Sequence, residues 1–212
     1  MSISDLLEER RPMRHNIFGV MVGIVTNNQD PENLGRVKLK IPRLSGEDES
    51  NWARVATFMA GKERGAFYLP EVDDEVLIVF ECGDIDRPYV IGSLWNGKDL
   101  PPVNNSDGEN NLRVIKSRSG HLISLNDKEG DAKIEIIDQS GKNAILIETK
   151  NNKITIKSDQ DIELAAPNGK VTINGKEIEI KSSAGMKLDA GANLDQNASG
   201  NMTLKGSMVD IN

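Results

Sequence analysis

Few side chains in this sequence have the chemistry of a reactive group, and their spacing does not combine them. His15 and His121 are the only histidines of the 212 residues and lie far apart. His121, within Ser119-Gly120-His121-Leu122-Ile123-Ser124-Leu125, reads as a strand-surface histidine, not as a ligand or a base. Cys82 is the single cysteine, which excludes an intrachain disulfide and a cysteine zinc site. Its neighbours Glu81 and Asp84 disfavour the thiolate, the form that attacks or binds metal. Asp73, Asp74 and Glu75 together could hold a cation, but at the start of a strand such a run reads as a solvated turn. No Ser-His-Asp order, glycine-rich phosphate loop or carboxylate pair stands out. The expectation is a protein that is not an enzyme, with no catalytic, cofactor-binding or metal residues.

If chemistry is absent, the elements themselves must carry the function. The formal net charge is −7, which disfavours sequence-independent binding to nucleic acid or anionic lipid. No stretch of about 18 apolar residues is present, so none spans a membrane as a helix. Met1 to Arg14 mix both charges and lack the apolar core of a signal peptide, so synthesis in the cytoplasm is expected.

Composition changes abruptly near residue 100. All eight aromatics (Phe18, Trp52, Phe58, Phe67, Tyr68, Phe80, Tyr89 and Trp95) lie before residue 96, and seven of the eight prolines before residue 103. Aromatics fill the cores of small globular domains, because each buries ~150–250 Å². The second half must therefore be built differently. Pro101-Pro102-Val103-Asn104-Asn105-Ser106-Asp107-Gly108 reads as a linker. The expected organisation is an arm over 1–15, a barrel over 16–100, a linker over 101–111 and a repeat over 112–212.

In the first half, residues 19–25 form an apolar run, and Gly35 to Ile41 alternate with Val37, Leu39 and Ile41 on one face. Pro42 ends that ladder because it has no N–H to donate. Further strands are expected at 52–55, 66–69, 75–80 and 89–94, with a turn at Gly83-Asp84-Ile85-Asp86. Short strands separated by turn signals imply a small closed or Greek-key barrel of the OB type. OB barrels often bind nucleic acid through a basic groove with stacking aromatics. Residues 1–100 hold 12 Lys and Arg against 17 Asp and Glu, a balance of −5. The aromatics sit in apolar strand contexts that a core would claim. A docking collar is the better reading.

From residue 134 the chain returns again and again to an apolar–polar–apolar triplet. The triplets are carried by Ile134 and Ile136, Ile145 and Ile147, Ile154 and Ile156, Ile162 and Leu164, and Val171 and Ile173. They continue with Ile178 and Ile180, Met186 and Leu188, Met202 and Leu204, and Val209 and Ile211. Gly, Asn, Ser and Asp fill the gaps. A short fixed period signals repeat architecture. Each unit offers one short strand with a single apolar face, and no helix or aromatic cluster covers it. Steps near eight residues are short for a solenoid made by one chain. They suit three chains wound around one axis as a triple-stranded, intertwined β-helix, a homotrimer with no free lateral edges. The triplet aliphatics from Ile134 to Leu204 then form the trimer core. At ~4.8 Å per strand, ten units make a needle of at least ~50 Å.

Both halves now resemble a known family. The carrying strings are Gly35-Arg36-Val37-Lys38-Leu39-Lys40-Ile41-Pro42, Trp52-Ala53-Arg54-Val55-Ala56 and Leu69-Pro70-Glu71-Val72-Asp73-Asp74-Glu75-Val76-Leu77. Arg87-Pro88-Tyr89-Val90-Ile91-Gly92-Ser93-Leu94-Trp95-Asn96 and the Ser119 to Leu125 string add to them. The chain resembles the baseplate spike (baseplate assembly protein V) family of contractile phage tails and of extracellular contractile injection systems. It is also similar to the spike portion of valine-glycine repeat proteins of type VI secretion. The resemblance implies an all-β homotrimer, with an OB collar docked on a baseplate hub protein and a β-helix needle that pierces the target envelope. It implies assembly into a phage, bacteriocin or extracellular injection particle. Only about 15 residues precede the barrel, so a separate hub protein is expected. The linker leaves no room for the lysozyme-like domain that some relatives carry. Some phage spikes close their tip with iron on a His-x-His motif, but no histidine follows His121 here. Met208, Val209 and Ile211 are instead expected to dock a small conical tip protein, like those with proline-alanine-alanine-arginine repeats. The rival is a trimeric receptor-binding fibre or adhesin, which normally ends in a recognition head.

Overall fold

A computed structural model describes residues 16–210; the arm over 1–15, His15 and Ile211 lie outside the described residues. The chain divides into two compact units at Asp159/Gln160. The first holds every strand among the described residues.

Seven strands come first: β1 (Met21–Asn27), β2 (Arg36–Lys40), β3 (Ala53–Val55), β4 (Ala60–Gly61), β5 (Arg64–Gly65), β6 (Glu75–Phe80) and β7 (Pro88–Ser93). Five of them close a barrel in the order β1-β2-β3-β7-β6, with β6 returning to β1. All pairings are antiparallel except β3 with β7. Strict alternation explains the closure. Val37 and Leu39 on β2, and Val76, Ile78 and Phe80 on β6, point inward with Val25, Ile41, Ala53 and Val90. Arg36, Lys38 and Lys40 take the intervening outward positions. This is the OB-like barrel expected from the pattern.

Two expectations fail within the barrel. Residues 66–69 form no strand; the chain instead makes the small β4–β5 hairpin just before them. A five-stranded barrel that closes on itself has no free edge for a further strand, and Pro70 lacks a donor. The aromatics do not fill the core either. Of the eight, only Phe80 is buried. Trp52 and Tyr89 lie half-buried under Arg36, Lys38 and Arg54. Phe18, Phe58, Phe67, Tyr68 and Trp95 are all exposed. Aliphatics suffice because the barrel is narrow, and its interior takes one layer of Val, Ile and Leu.

The loop between β1 and β2 is tied by one carboxylate. Asp30, 8% exposed, accepts hydrogen bonds from Arg36 Nε and Nη2 at 2.8 and 2.7 Å. It also accepts from the backbone N–H groups of Glu32, Leu34 and Arg36. The Arg36 guanidinium, ahead of those backbone donors, holds its carboxyl well below the usual carboxylate range. On the far side of the barrel, the 3₁₀ turn Glu81–Gly83 receives the entering chain: Ile17 N–H donates to Gly83 O at 3.0 Å.

Five more strands follow: β8 (Leu112–Lys116), β9 (Leu122–Asn126), β10 (Lys133–Ile137), β11 (Ala144–Glu148) and β12 (Lys153–Lys157). They form one antiparallel sheet in the order β12-β11-β10-β9-β8, each strand paired with its sequence neighbour. The repeat thus begins as a meander whose lateral partners come from its own chain, not as units wound between chains. Connections of four to six residues between these strands are long enough for antiparallel return. The turn after β10 shows how: Asp138 accepts from Ser140 Oγ and from Asn143 N and Nδ2, and Gly141 takes φ +70°. Those donors, Ser140 first, hold the Asp138 carboxyl low, at about 2.

Candidate assembly surface

The meander places its aliphatics in two straight columns on one face. In the first, Ile115 faces Ile123, Ile123 faces Ile136, Ile136 faces Ile145 and Ile145 faces Ile156. In the second, Leu125, Ile134, Ile147 and Ile154 succeed one another in the same way. Directly opposed residues have Cβ atoms about 4.5–5.5 Å apart, so the nine side chains form one continuous apolar plate. All nine lie between 40% and 68% exposed.

The reverse face has a different character. Its central column runs Val114, Ser124, Glu135, Leu146, Thr155. Ser124 is 4% exposed, and the Thr155 hydroxyl is shielded without a hydrogen-bond partner. A sheet that functioned alone would show the opposite order, polar side chains wet and aliphatics covered. A continuous exposed apolar patch of this kind is what interaction surfaces commonly present.

Six of the predicted core residues (Ile134, Ile136, Ile145, Ile147, Ile154 and Ile156) are thus brought together on the plate. The prediction missed Ile115, Ile123 and Leu125, which extend it. An 11-residue spacing could have revealed two of them, since Ile123, Ile134, Ile145 and Ile156 keep that step, as do Leu125, Ile136 and Ile147.

Beyond Asp159 the triplets persist but the pairing stops. No described residue from Gln160 onward belongs to a strand, and each is exposed. Ile162, Leu164, Val171, Ile173, Ile178, Ile180, Met186, Leu188, Met202 and Leu204 all have more than half of their surface open. Met208 and Val209, the predicted docking pair at the end, are 78% and 51% exposed. Backbone without a neighbouring strand leaves its N–H and C=O groups to water, a costly arrangement wherever apolar side chains are to be packed.

The reactive side chains are scattered. Cys82 is exposed on the Glu81–Gly83 turn, at φ +51°. His121 Nδ1 accepts a hydrogen bond from Gln139 N–H at 3.2 Å, which ties two turns of the meander. Asp74 Oδ2 accepts from Glu71 N–H, so that carboxylate closes its own turn. Among the described residues no three His, Cys, Asp or Glu side chains form a metal-holding group, and no helix is long and apolar enough to cross a membrane.

Comparison with known proteins gives the barrel a context. Residues 21–95 match the family described as the type VI secretion system/phage-baseplate injector OB domain. The chain is 28% identical over 144 residues to the type VI secretion system spike protein VgrG3 of Vibrio cholerae, a match covering 64% of this chain and 14% of that protein. It is 27% identical over 136 residues to the spike protein VgrG1b of Pseudomonas aeruginosa, covering 61% and 18%. A third relative, the actin cross-linking toxin VgrG1 of Vibrio cholerae, is 27% identical over 144 residues, covering 64% and 12%. The matches span less than a fifth of each of these relatives.

Proposed function

We propose that the chain, whose residues 21–95 match the type VI secretion system/phage-baseplate injector OB domain family, is the trimeric central spike of a contractile injection machine. In this reading the barrel is a collar that docks on a baseplate hub protein and plugs the tube, and the repeat is the needle driven through the target envelope. The observation that carries it is the plate of nine exposed aliphatics, continued by exposed apolar triplets to residue 209.

Three copies satisfy both halves of the repeat. Three meanders turned with their plates inward make a prism with a dry interior, at ~0.8 kcal/mol for each CH₂ removed from water. Past Asp159, where the chain offers itself no partner strand, the other two copies supply the missing ladders and the strands interwind. A closed, hydrogen-bonded prism resists axial load because bending it breaks many ladder bonds at once. The mechanism is mechanical: contraction pushes, and the rod concentrates force on a small area. Nothing in it needs a reactive side chain or a cofactor, and the role is structural, not enzymatic. Met208 and Val209, both exposed, together with Ile211 are the residues proposed to dock a small conical tip protein of the proline-alanine-alanine-arginine repeat type. Such a chain is assembled into the baseplate of a phage, bacteriocin or related particle.

The test is the mass in solution by light scattering, combined with electrophoresis in SDS without heating. An elongated species near three times the 23.2 kDa chain, resistant to SDS, is expected. A monomer would overturn the proposal.

A further inference from the structure

Three Asn-Gly pairs occur in the sequence: Asn96-Gly97, Asn168-Gly169 and Asn174-Gly175. Asparagine before glycine is open to a self-contained reaction, because the following residue has no side chain to shield its backbone nitrogen. The glycine nitrogen attacks the asparagine Cγ, an N–Cγ bond forms, and the Cγ–Nδ2 bond breaks. Ammonia leaves with the proton that the glycine nitrogen gives up. Water then opens the five-membered imide at either carbonyl, giving aspartate or isoaspartate. Only water is consumed, and no oxidant or cofactor takes part. The reaction needs a side-chain amide free to turn and a glycine N–H free to reach it.

The structure separates the three pairs on those two requirements. The Asn96 amide is fixed within the barrel unit. Its Oδ1 accepts from the N–H groups of Lys98 and Asp99 at 2.8 and 2.7 Å. Its Nδ2 donates to Glu75 Oε2 at 3.2 Å and to Asp99 Oδ2 at 3.4 Å. At the second pair the nucleophile is held, since Gly169 N–H donates to Ala166 O at 3.1 Å and closes a turn. The third pair has neither restraint. Among the described residues, no hydrogen bond involves the Asn174 side chain or the Gly175 N–H. Both residues are exposed and lie outside any strand.

The place of this pair in the repeat gives the reaction a consequence. Asn174-Gly175 begins the gap between the Val171–Ile173 and Ile178–Ile180 triplets. Deamidation adds a negative charge there, and isoaspartate also lengthens the main chain by one CH₂. Strand faces depend on a period of two, so the extra main-chain atom puts Ile178 and Ile180 out of step with Val171 and Ile173. Ladder bonds from neighbouring copies would hold this backbone extended and keep the glycine N–H away from the amide.

We infer that Asn174 is a spontaneous deamidation site of the unassembled chain, the first of the three asparagines to react, and that assembly shuts the reaction off. The order of reaction stands on the hydrogen bonds alone. The protection rests on the trimeric spike reading.

The experiment follows the full chain in warm, mildly alkaline buffer, wild type beside Ile134→Asp, a charge placed on the plate to block assembly. Peptide mass spectrometry reads the conversion of amide to acid at each asparagine, and light scattering reads the mass. In the Ile134→Asp monomer, Asn174 should convert severalfold faster than Asn168 and Asn96. In the wild-type trimer, its conversion should slow severalfold. In urea the order should vanish, because the bonds at Asn96 and Gly169 are gone; an order that persists there belongs to neighbouring side chains and overturns the structural argument. Asn168 or Asn96 reacting as fast as Asn174 in the monomer overturns the site. Equal Asn174 rates in monomer and trimer overturn the protection and leave the spike reading intact. A monomeric wild type overturns that reading and the protection with it, while the order of the three asparagines still decides the site.

Discussion

The barrel and the meander use the same alternation to opposite effect. In the barrel, nine inward side chains are at most 7% exposed. In the meander, nine aliphatics of equal regularity are at least 40% exposed. The difference is closure. β6 returns to β1, so the barrel's inner face meets itself, whereas the meander ends in two unpaired edges, β8 and β12. A period of two says which residues share a face; it does not say what that face will meet. The barrel covers its own apolar face, and the meander leaves its apolar face open, as the proposed needle requires.

The sharpest way to break this contrast is a charge in the needle. Ile173→Asp would bury three carboxylates near one axis, at several kcal/mol each without partners. The expected outcome is loss of the trimer, seen by light scattering, with the barrel still folded; a soluble trimeric variant would count strongly against the spike.

A cavity in the barrel should act on the other half only. Ile78, fully buried in the core, mutated to Ala should cost about 2–5 kcal/mol. Calorimetry should show the barrel transition falling by many degrees while the trimeric mass is unchanged. Loss of the trimeric mass in this variant would show that assembly depends on the barrel core.

Gly83→Ala is a smaller perturbation of the barrel. Gly83 sits at φ +80°, and a Cβ there would lie 3.2 Å from Ile17 N, the atom that bonds its own carbonyl. The left-handed backbone alone costs a non-glycine residue about 1–2 kcal/mol. Hydrogen exchange should show faster loss of the Ile17 amide proton, with the meander amides unaffected.

Asp30→Asn gives the subtlest effect, a change in pH dependence. Its carboxyl is held low in the folded barrel, chiefly by Arg36. The stabilisation is therefore fully present above the unfolded value near 3.9 and is lost as pH falls below it toward the folded value. The melting difference between wild type and Asp30→Asn should be constant from pH 5 to 7 and shrink below pH 4. A difference independent of pH would mean that the carboxylate charge does not matter to the loop.

Much of this was legible in the residues. Val37, Leu39 and Ile41 announced an inward face, and the loss of aromatics after Trp95 announced a second kind of architecture. Ile134 to Ile156 declared a shared face because alternation is a local property of extended backbone. The fate of Phe58, Phe67 and Tyr68 was not legible, since an aromatic for a core and one left at the surface have the same composition. Nor was the hairpin that replaced the strand at 66–69, because an edge is filled or free only once the whole barrel has closed.

By itself, then, the sequence determined the period, the faces and the break near residue 100, all of which follow from side-chain type and nearest-neighbour spacing. Tertiary structure alone decided which strands pair, that the repeat begins as an antiparallel sheet within one chain, and that the pairing ceases at Asp159. Those outcomes depend on where each ladder finds its partner hydrogen bonds, and that is a long-range property no local pattern contains.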